Sequence, residues 1–574
     1  MNIFSQFEEH IKSIYHNLVA EKHLADGHDL SKMVVELPRE ESHGDLASNV
    51  AMVTAKQAGM RPRDLAELYA NGLGKLPDVT SVEIAGPGFL NIRLQAGAWQ
   101  NQLVEIQQKQ GDYGRSDIGV GQTINVEFVS ANPTGPLHAA HARGAIFGDS
   151  LAHLLEFAGF KVIREYYVND AGAQVDVLAR STYLRYREAF GETIEIPAGL
   201  YPGDYLKEVG QALKEKHGTA FLDADEDDYL APIRSFAIDM IMSGIKHDLD
   251  RLGVAMDVFS SERELTLSGK VTEALDSLKD KNLIYRGVLE PPKGQKSDDW
   301  EEREQLLFKA SDFGDDSDRT LQKSDGSWTY FASDIAYHYD KWQRTGGQLI
   351  DVLGADHGGY VKRMKAATEA IAGAKNQLDV KLCQLVTLLD NGQPVKMSKR
   401  AGTFVTLSDV MDAVGADVMR FIMLTRRNDQ TLEFDYAKVT EKSRENPVFY
   451  VQYAHARARS VFRQDEAIAD FADADLSLLS HHLEIRLIKQ LASWPVLIRS
   501  AALSHEPHRI AFYLMELAAA FHGLWNGGRD EPELKFIQND NAEVTKARLY
   551  LVNSVSIVIR SGLKLLSINA AEEM

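Results

Sequence analysis

Residues 126–144 read Val126-Glu127-Phe128-Val129-Ser130-Ala131-Asn132-Pro133-Thr134-Gly135-Pro136-Leu137-His138-Ala139-Ala140-His141-Ala142-Arg143-Gly144. An apolar run, a Pro/Gly loop and a helical pattern follow one another. This order predicts a strand over 123–129, a loop over 132–136 and a helix over 140–158. A further strand over 161–168 completes a βαβ unit. His138 and His141 stand where the first strand hands over to its helix, at the sheet edge that ligands favour. Helix N-terminal amides and two imidazoles can donate to phosphate oxygens, stabilising charge that develops when a carboxylate attacks the α-phosphate of ATP. Taken alone the His-x-x-His pair is weak, because core and helix-start histidines show the same spacing.

Working outward, strands expected over 328–332, 349–353 and 381–388 alternate with helical patterns, as in a doubly wound parallel sheet. The span 175–320 looks inserted. Before this unit, Ile3, Phe4, Phe7, Ile11, Ile14, Leu18 and Val19 mark an amphipathic helix. A strand over 33–37, helices over 47–57 and 64–73, and strands over 81–85 and 88–94 around Gly86-Pro87-Gly88 make a compact α+β unit. The glycine-rich stretch 109–121 connects the two units. From about 445 strand signals stop, and apolar residues recur at helical spacing over 449–461, 483–497, 511–524 and 549–566, predicting an all-α helical bundle. The chain therefore reads as multidomain α/β.

Its 574 residues are too many for a single core. Hydrophobic content of 44% with 25% charged residues is that of an ordinary globular chain. No run of about eighteen apolar residues occurs and the N-terminus lacks a signal-peptide pattern, so no membrane association and a cytoplasmic location are expected. The single cysteine, Cys383, excludes an internal disulfide framework and lies in an apolar run that suggests a buried thiol. A net charge of −20 argues against indiscriminate nucleic-acid binding but leaves selective RNA binding open.

A second element is Val395-Lys396-Met397-Ser398-Lys399-Arg400-Ala401-Gly402-Thr403, after the Asn391-Gly392 turn, whose three cations can clamp a triphosphate. Its co-occurrence with the histidine motif, in this order, resembles the His-Ile-Gly-His and Lys-Met-Ser-Lys signatures of class I aminoacyl-tRNA synthetases. The long run 126–138 is similar to arginyl-tRNA synthetases in particular. The resemblance implies a Rossmann-type parallel-sheet catalytic domain with an insertion. It also implies catalytic roles for His138, His141, Lys396, Ser398, Lys399 and Arg400, and ATP contacts from Pro136, Leu137, His138, Ala140, His141, Met397 and Lys399. ATP would come with Mg2+, without a permanently bound protein metal. Ala140 departs from the class pattern, which has glycine there, and its methyl group is expected to shift ATP slightly.

A guanidinium substrate calls for a carboxylate that takes two parallel hydrogen bonds. The segment Ser327-Trp328-Thr329-Tyr330-Phe331-Ala332-Ser333-Asp334-Ile335-Ala336-Tyr337 resembles the family's arginine pocket, which implies that Asp334 grips the guanidinium and Tyr330 lines it. The same resemblance puts Glu127, Ser130 and Asn132 around the substrate. It puts Asp356 and His357, in Gly354-Ala355-Asp356-His357-Gly358-Gly359-Tyr360, near the adenosine or the α-amino group. Asp334 also reads as a helix N-cap, a role aspartate favours whatever the function. Tyr167-Val168-Asn169-Asp170 is assigned to support of the pocket.

Gly44-Asp45-Leu46-Ala47-Ser48-Asn49 and Gly86-Pro87-Gly88-Phe89-Leu90-Asn91 resemble the family's additional N-terminal domain, which contacts tRNA. Asn446-Pro447-Val448-Phe449-Tyr450-Val451-Gln452-Tyr453-Ala454-His455-Ala456-Arg457 is similar to its anticodon-binding domain. The implied layout is an N-terminal domain over 1–110, a catalytic domain over 120–405, a stem-contact connection over 406–445 and a helical anticodon domain over 446–574. Candidate contacts to tRNA(Arg) are Asn49, Phe89, Tyr450, Tyr453, Arg457 and Arg548, with aromatics stacking on bases and arginines on phosphates. At helical spacing Tyr450 and Tyr453 equally suit core packing. L-arginine, ATP and tRNA(Arg) are the expected partners of a monomer. A synthetase for another amino acid, an adenylyltransferase and a silent RNA-binding relative are the rival readings.

Overall fold

The computed structural model describes residues 2–38, 40–289, 304–395, 405–441, 443, 445–463 and 471–574. Two units are present, one formed by Met1–Ser116 with Ser443–Met574 and the other by Asp117–Lys442. In the first, strands β1 (Val35–Glu36), β2 (Leu46–Ser48), β3 (Val79–Ala85) and β4 (Phe89–Leu94) form an antiparallel sheet in the order β1-β2-β4-β3. The helix Ile3–Ala20 buries Ile3, Phe4, Phe7, Ile11, Ile14 and Leu18 along one stripe. Asn2 starts it by accepting the Ser5 N–H at 2.9 Å.

The C-terminal half of the same unit holds the helices Pro447–Phe462, His482–Ala492, Trp494–Ser504, His508–Asp530 and Ala542–Leu565. Ala542–Leu565 is buried around nearly its whole circumference, as the central member of a bundle must be. The helix Ala96–Lys109 joins the halves: Gln107 Nε2 donates to Ser554 Oγ at 3.0 Å, and Trp494 Nε1 donates to the Tyr113 carbonyl at 2.9 Å.

The second unit is built on five parallel strands: β5 (Thr123–Glu127), β6 (Lys161–Val168), β7 (Val258–Ser261), then β8 (Ile284–Gly287), β9 (Gln305–Phe308) and β10 (Arg319–Thr320) in a separate sheet, and β11 (Gln348–Gly354) and β12 (Leu378–Cys383) back in the first. The parallel sheet runs β12-β11-β5-β6-β7, so the chain starts at the centre, builds one side and returns to build the other. The order reverses between β5 and β11, and the crevice at their carboxyl ends is where such sheets bind ligands. The helix Ala139–Phe157 packs on this sheet so closely that a Cβ built on Gly148 would lie 2.2 Å from the Phe128 ring. A last sheet pairs β13 (Val386–Asp390) with β14 (Gln393–Pro394) antiparallel and with β15 (Leu432–Asp435) parallel.

Several expected elements differ. Residues 328–332 are not a strand: Thr329 accepts the Ala332 N–H at 3.3 Å and starts the helix Tyr330–Thr345. Thr329, not Asp334, is therefore the N-cap. The stretch 381–388 divides between β12 and β13, which lie in different sheets. The span 175–320 is interrupted by β7, which returns to the parallel sheet as its edge. Residues 483–497 form two helices, because Pro495 lacks the N–H that would continue the first. Gly148→Ala should force apart Phe128 and its helix, lowering stability by about 1–3 kcal/mol, read as an earlier thermal unfolding midpoint.

Candidate active site

The strand β5 ends abruptly because Val129 and Ser130 adopt positive φ, 69° and 40°. For a β-branched valine this is a costly conformation, and such strain persists where surrounding contacts over-determine it. Here Ser130 Oγ donates to Glu127 Oε1 at 2.9 Å and accepts the Tyr167 N–H at 3.1 Å, locking the turn between β5 and β6. The loop that follows lines a cleft of about 290 Å³ with Asn132, Thr134, Gly135, Pro136, His138 and His141, closed on another side by Tyr201, Pro202, Gly203 and Tyr205. Tyr205 OH donates to the Thr134 carbonyl at 2.6 Å, so the inserted span supplies a wall of this cleft.

His138 is the N-cap of Ala139–Phe157, and its ring stacks on that of His141 with centroids 3.7 Å apart. The His138 N–H donates to His141 Nδ1 at 3.3 Å, so His141 carries its proton on Nε2, where it can donate onward. Leu137 is buried, while Ala140 is exposed. Lys396, Met397, Ser398, Lys399 and Arg400 lie outside the described residues. Their flanks are described: the Val395 N–H donates to the Leu388 carbonyl at 2.9 Å, and the Val405 carbonyl accepts the Ala139 N–H at 3.2 Å. His138 also pairs with Thr406 across a β-bridge.

Asp334 sits within the helix Tyr330–Thr345, one turn beyond Tyr330 and on the same face. Tyr330 is largely exposed, and Tyr360 OH donates to Asp334 Oδ2. Burial raises the Asp334 carboxyl to about 6, although the Tyr360 hydrogen bond and His338 oppose the rise. Glu262, which sequence patterning did not single out, is buried at the start of the helix Glu262–Leu267. Burial first, and then the charges of Asp334 and Asp170, raise it to about 7. Tyr167 lies among these acids: burial and the neighbouring Glu262, Asp334, Glu127 and Asp170 push its hydroxyl far up. Two carboxyls raised by burial near other acids would be favoured in their charged form by a cation.

Glu127 differs from expectation. It is 6% exposed, and its second oxygen accepts from Lys341 Nζ at 2.6 Å, so both oxygens are engaged within the protein. Lys341 also donates to Asp351 at 2.7 Å. Burial lowers the pKa of this ammonium, but Asp351 and Glu127 outweigh burial and hold it charged. Asn132 faces the cleft, and Asp356 and His357 are exposed on the turn Ala355–Tyr360 after β11.

On the other unit, Arg457 stacks between Tyr453 and Trp525, with Cζ 4.4 and 4.7 Å from the ring centroids, and donates to Tyr453 OH at 2.8 Å. Tyr450 and Tyr453 are half-buried against His522. Phe89 is exposed. Arg548 is corrected as a phosphate contact: it is buried, pairs with Glu484 at 2.8 Å and donates to the Glu533 and Lys535 carbonyls. Asn49 is likewise committed, accepting the Val34 N–H at 2.8 Å and donating to the Lys32 carbonyl. Among the described residues no cluster of three His, Cys, Asp or Glu side chains is arranged to hold a metal, and no helix is long and apolar enough to cross a membrane.

Residues 102–457 match the family model described as tRNA synthetases class I (R), catalytic domain, which makes the chain a class I aminoacyl-tRNA ligase. Residues 4–94 match the arginyl tRNA synthetase N terminal domain and 451–574 the DALR anticodon binding domain. The chain belongs to the arginyl-tRNA synthetase family. It is 56% identical over 580 residues to the arginine–tRNA ligase of Roseobacter denitrificans and 55% identical over 585 residues to that of Azorhizobium caulinodans, covering all of both chains in each case. Its fold is shared with the arginyl-tRNA synthetase of Thermus thermophilus, at a TM-score of 0.74, with 21% identity and all of both chains covered.

Glu262 carries a signed expectation. Its folded-state carboxyl titrates near 7 against an ordinary 4.5, so the folded protein binds the extra proton and loses stability as pH rises from about 4.5 through 7. Glu262→Gln should therefore be more stable than the parent by about 2–3 kcal/mol at pH 8 and no more stable near pH 4.5. Unfolding at the two pH values reads this difference.

Proposed function

We propose that the chain activates L-arginine with ATP and transfers it to the 3′ end of tRNA(Arg). The observation that carries the arginine reading is the closeness of Asp334 to Glu262, two carboxyls raised chiefly by burial that a counter-charge would favour in the ionised form. A guanidinium supplies that charge with planar donors matched to carboxylates. Tyr330 lines the pocket and Tyr360 orients Asp334, while Ser130, Asn132, Asp356 and His357 surround the substrate's remaining polar groups. Glu127 acts through Ser130.

The arginine carboxylate attacks the α-phosphorus in line, forming the acyl-phosphate bond as the bond to pyrophosphate breaks. His141 Nε2, His138 and the first amides of Ala139–Phe157 hold the phosphate oxygens. Lys396, Ser398, Lys399 and Arg400 receive the pyrophosphate; the anchoring of Val395 and Val405 supports this reading. Pro136, Leu137, Ala140 and Met397 border the nucleotide. Magnesium comes with the triphosphate and screens its charge. The terminal ribose hydroxyl of tRNA then attacks the arginyl carbonyl, releasing AMP and a proton. Tyr450, Tyr453, Arg457 and Phe89 present aromatic faces and charge suited to RNA. The protein acts as a cytoplasmic monomer.

Charging of bulk tRNA with each amino acid tests the reading, and only arginine should be incorporated. Asp334→Asn should reduce kcat/KM for arginine by about a hundredfold or more, the loss expected from a charge-assisted bidentate contact. The KM for arginine should fall as pH rises from 6 to 8, because deprotonated Asp334 and Glu262 bind the cation and protonated ones do not. Charging of another amino acid, or an arginine KM indifferent to pH over that range, overturns the assignment.

A further inference from the structure

The helix Tyr330–Thr345 carries Asp334, His338 and Lys341 at i, i+4 and i+7, so one face presents all three. Beneath the pocket this face meets two register partners, Glu127 on β5 and Asp351 on β11, side by side where the strand order reverses. Lys341, wholly buried, lies 2.6 Å from Glu127 Oε2 and 2.7 Å from Asp351 Oδ1. His338 Nε2 lies 2.8 Å from Asp351 Oδ2, and its Nδ1 lies 2.8 Å from the Asp334 carbonyl oxygen. Both ring nitrogens are thus engaged, one by a side chain of β11 and the other by the backbone of the helix that bears Asp334.

Within this layer Lys341 bridges Glu127 and Asp351, and His338 engages the second oxygen of Asp351. Next to it, Asp334 accepts from the neutral Tyr360 hydroxyl. Buried ion pairs add little net stability over packed apolar side chains, so stability alone does not account for this buried cluster. What the arrangement does supply is register, since it ties the helix bearing Asp334 to the two strand ends that frame the crevice.

We propose that His338 and Lys341 are positioning residues for arginine: by holding Asp351 and Glu127 they set the depth of Asp334 in the pocket and leave its carboxylate to the guanidinium. This rests on the arginine reading above. His338 reaches Asp334 through its carbonyl, and Lys341 reaches the substrate side through Glu127 and Ser130. Both therefore act through other residues.

The test compares His338→Gln, whose amide retains a donor toward Asp351, His338→Asn, whose amide retains one toward the Asp334 carbonyl, and Lys341→Met. Steady-state aminoacylation gives KM separately for arginine, ATP and tRNA, alongside thermal unfolding. Each variant should raise the KM for arginine about tenfold or more while the constants for ATP and tRNA stay within about twofold. An unchanged arginine KM overturns the proposal. So does a rise in all three constants in step with a lowered melting temperature, which is the signature of a general structural role. If Lys341→Met does not fold, the two His338 variants decide alone. Failure of the arginine reading itself is distinguishable, because the unaltered protein would then charge no tRNA with arginine.

Discussion

Glu127 and Asp351 are forced together by the parallel register of β5 and β11, and the buried ammonium of Lys341 between them is the contact on which the site's geometry depends. Two carboxylates at adjacent strand positions repel in a medium of low dielectric, and removal of one buried partner from such a group is far more costly than its presence is beneficial. Through Glu127 the contact reaches Ser130 and the left-handed turn that ends β5. Through Asp351 and His338 it reaches Asp334. The crevice opened by the reversal of strand order thus has walls held to one another by charge as well as by packing.

Around this fixed layer the molecule holds conformations that are unfavourable without a ligand. Val129 adopts a backbone conformation that its branched side chain resists, and Glu262 is buried and Asp334 partly buried near other acids. Each lowers stability in the free protein. A guanidinium relieves the electrostatic part on binding, which is how a site favours a cation without prior rearrangement.

The alternation of β5, its loop and the helix Ala139–Phe157 was legible because an apolar strand, a Pro/Gly break and a helical repeat each carry their own period. Residues 328–332 misled for a physical reason: Trp328, Tyr330 and Phe331 favour strands as isolated residues, whereas the cap made by Thr329 commits them to a helix. Lys341 and Glu262 were invisible, since periodicity marks apolar burial and says nothing about a charged side chain buried with its partner. Arg548 failed in the opposite direction, its charge drawn inward by Glu484 on a helix more than sixty residues earlier in the chain. Spacing in sequence cannot report such a meeting.

The histidine signature is tied through backbone and through Arg143 to the segments that flank residues 396–404. Arg143, two residues beyond His141, donates to the carbonyls of Gln384, Arg427 and Gln430, which precede β13 and β15. β13 pairs with the strand Gln393–Pro394 that leads into residues 396–400, and Val405 and Thr406 return beside Ala139 and His138. The helix start proposed to hold the α-phosphate is therefore tied to both flanks of the cation-bearing segment. Flanks fixed in register to that helix start keep the two signatures at one site, as charge stabilisation of both the α-phosphate and a departing pyrophosphate requires.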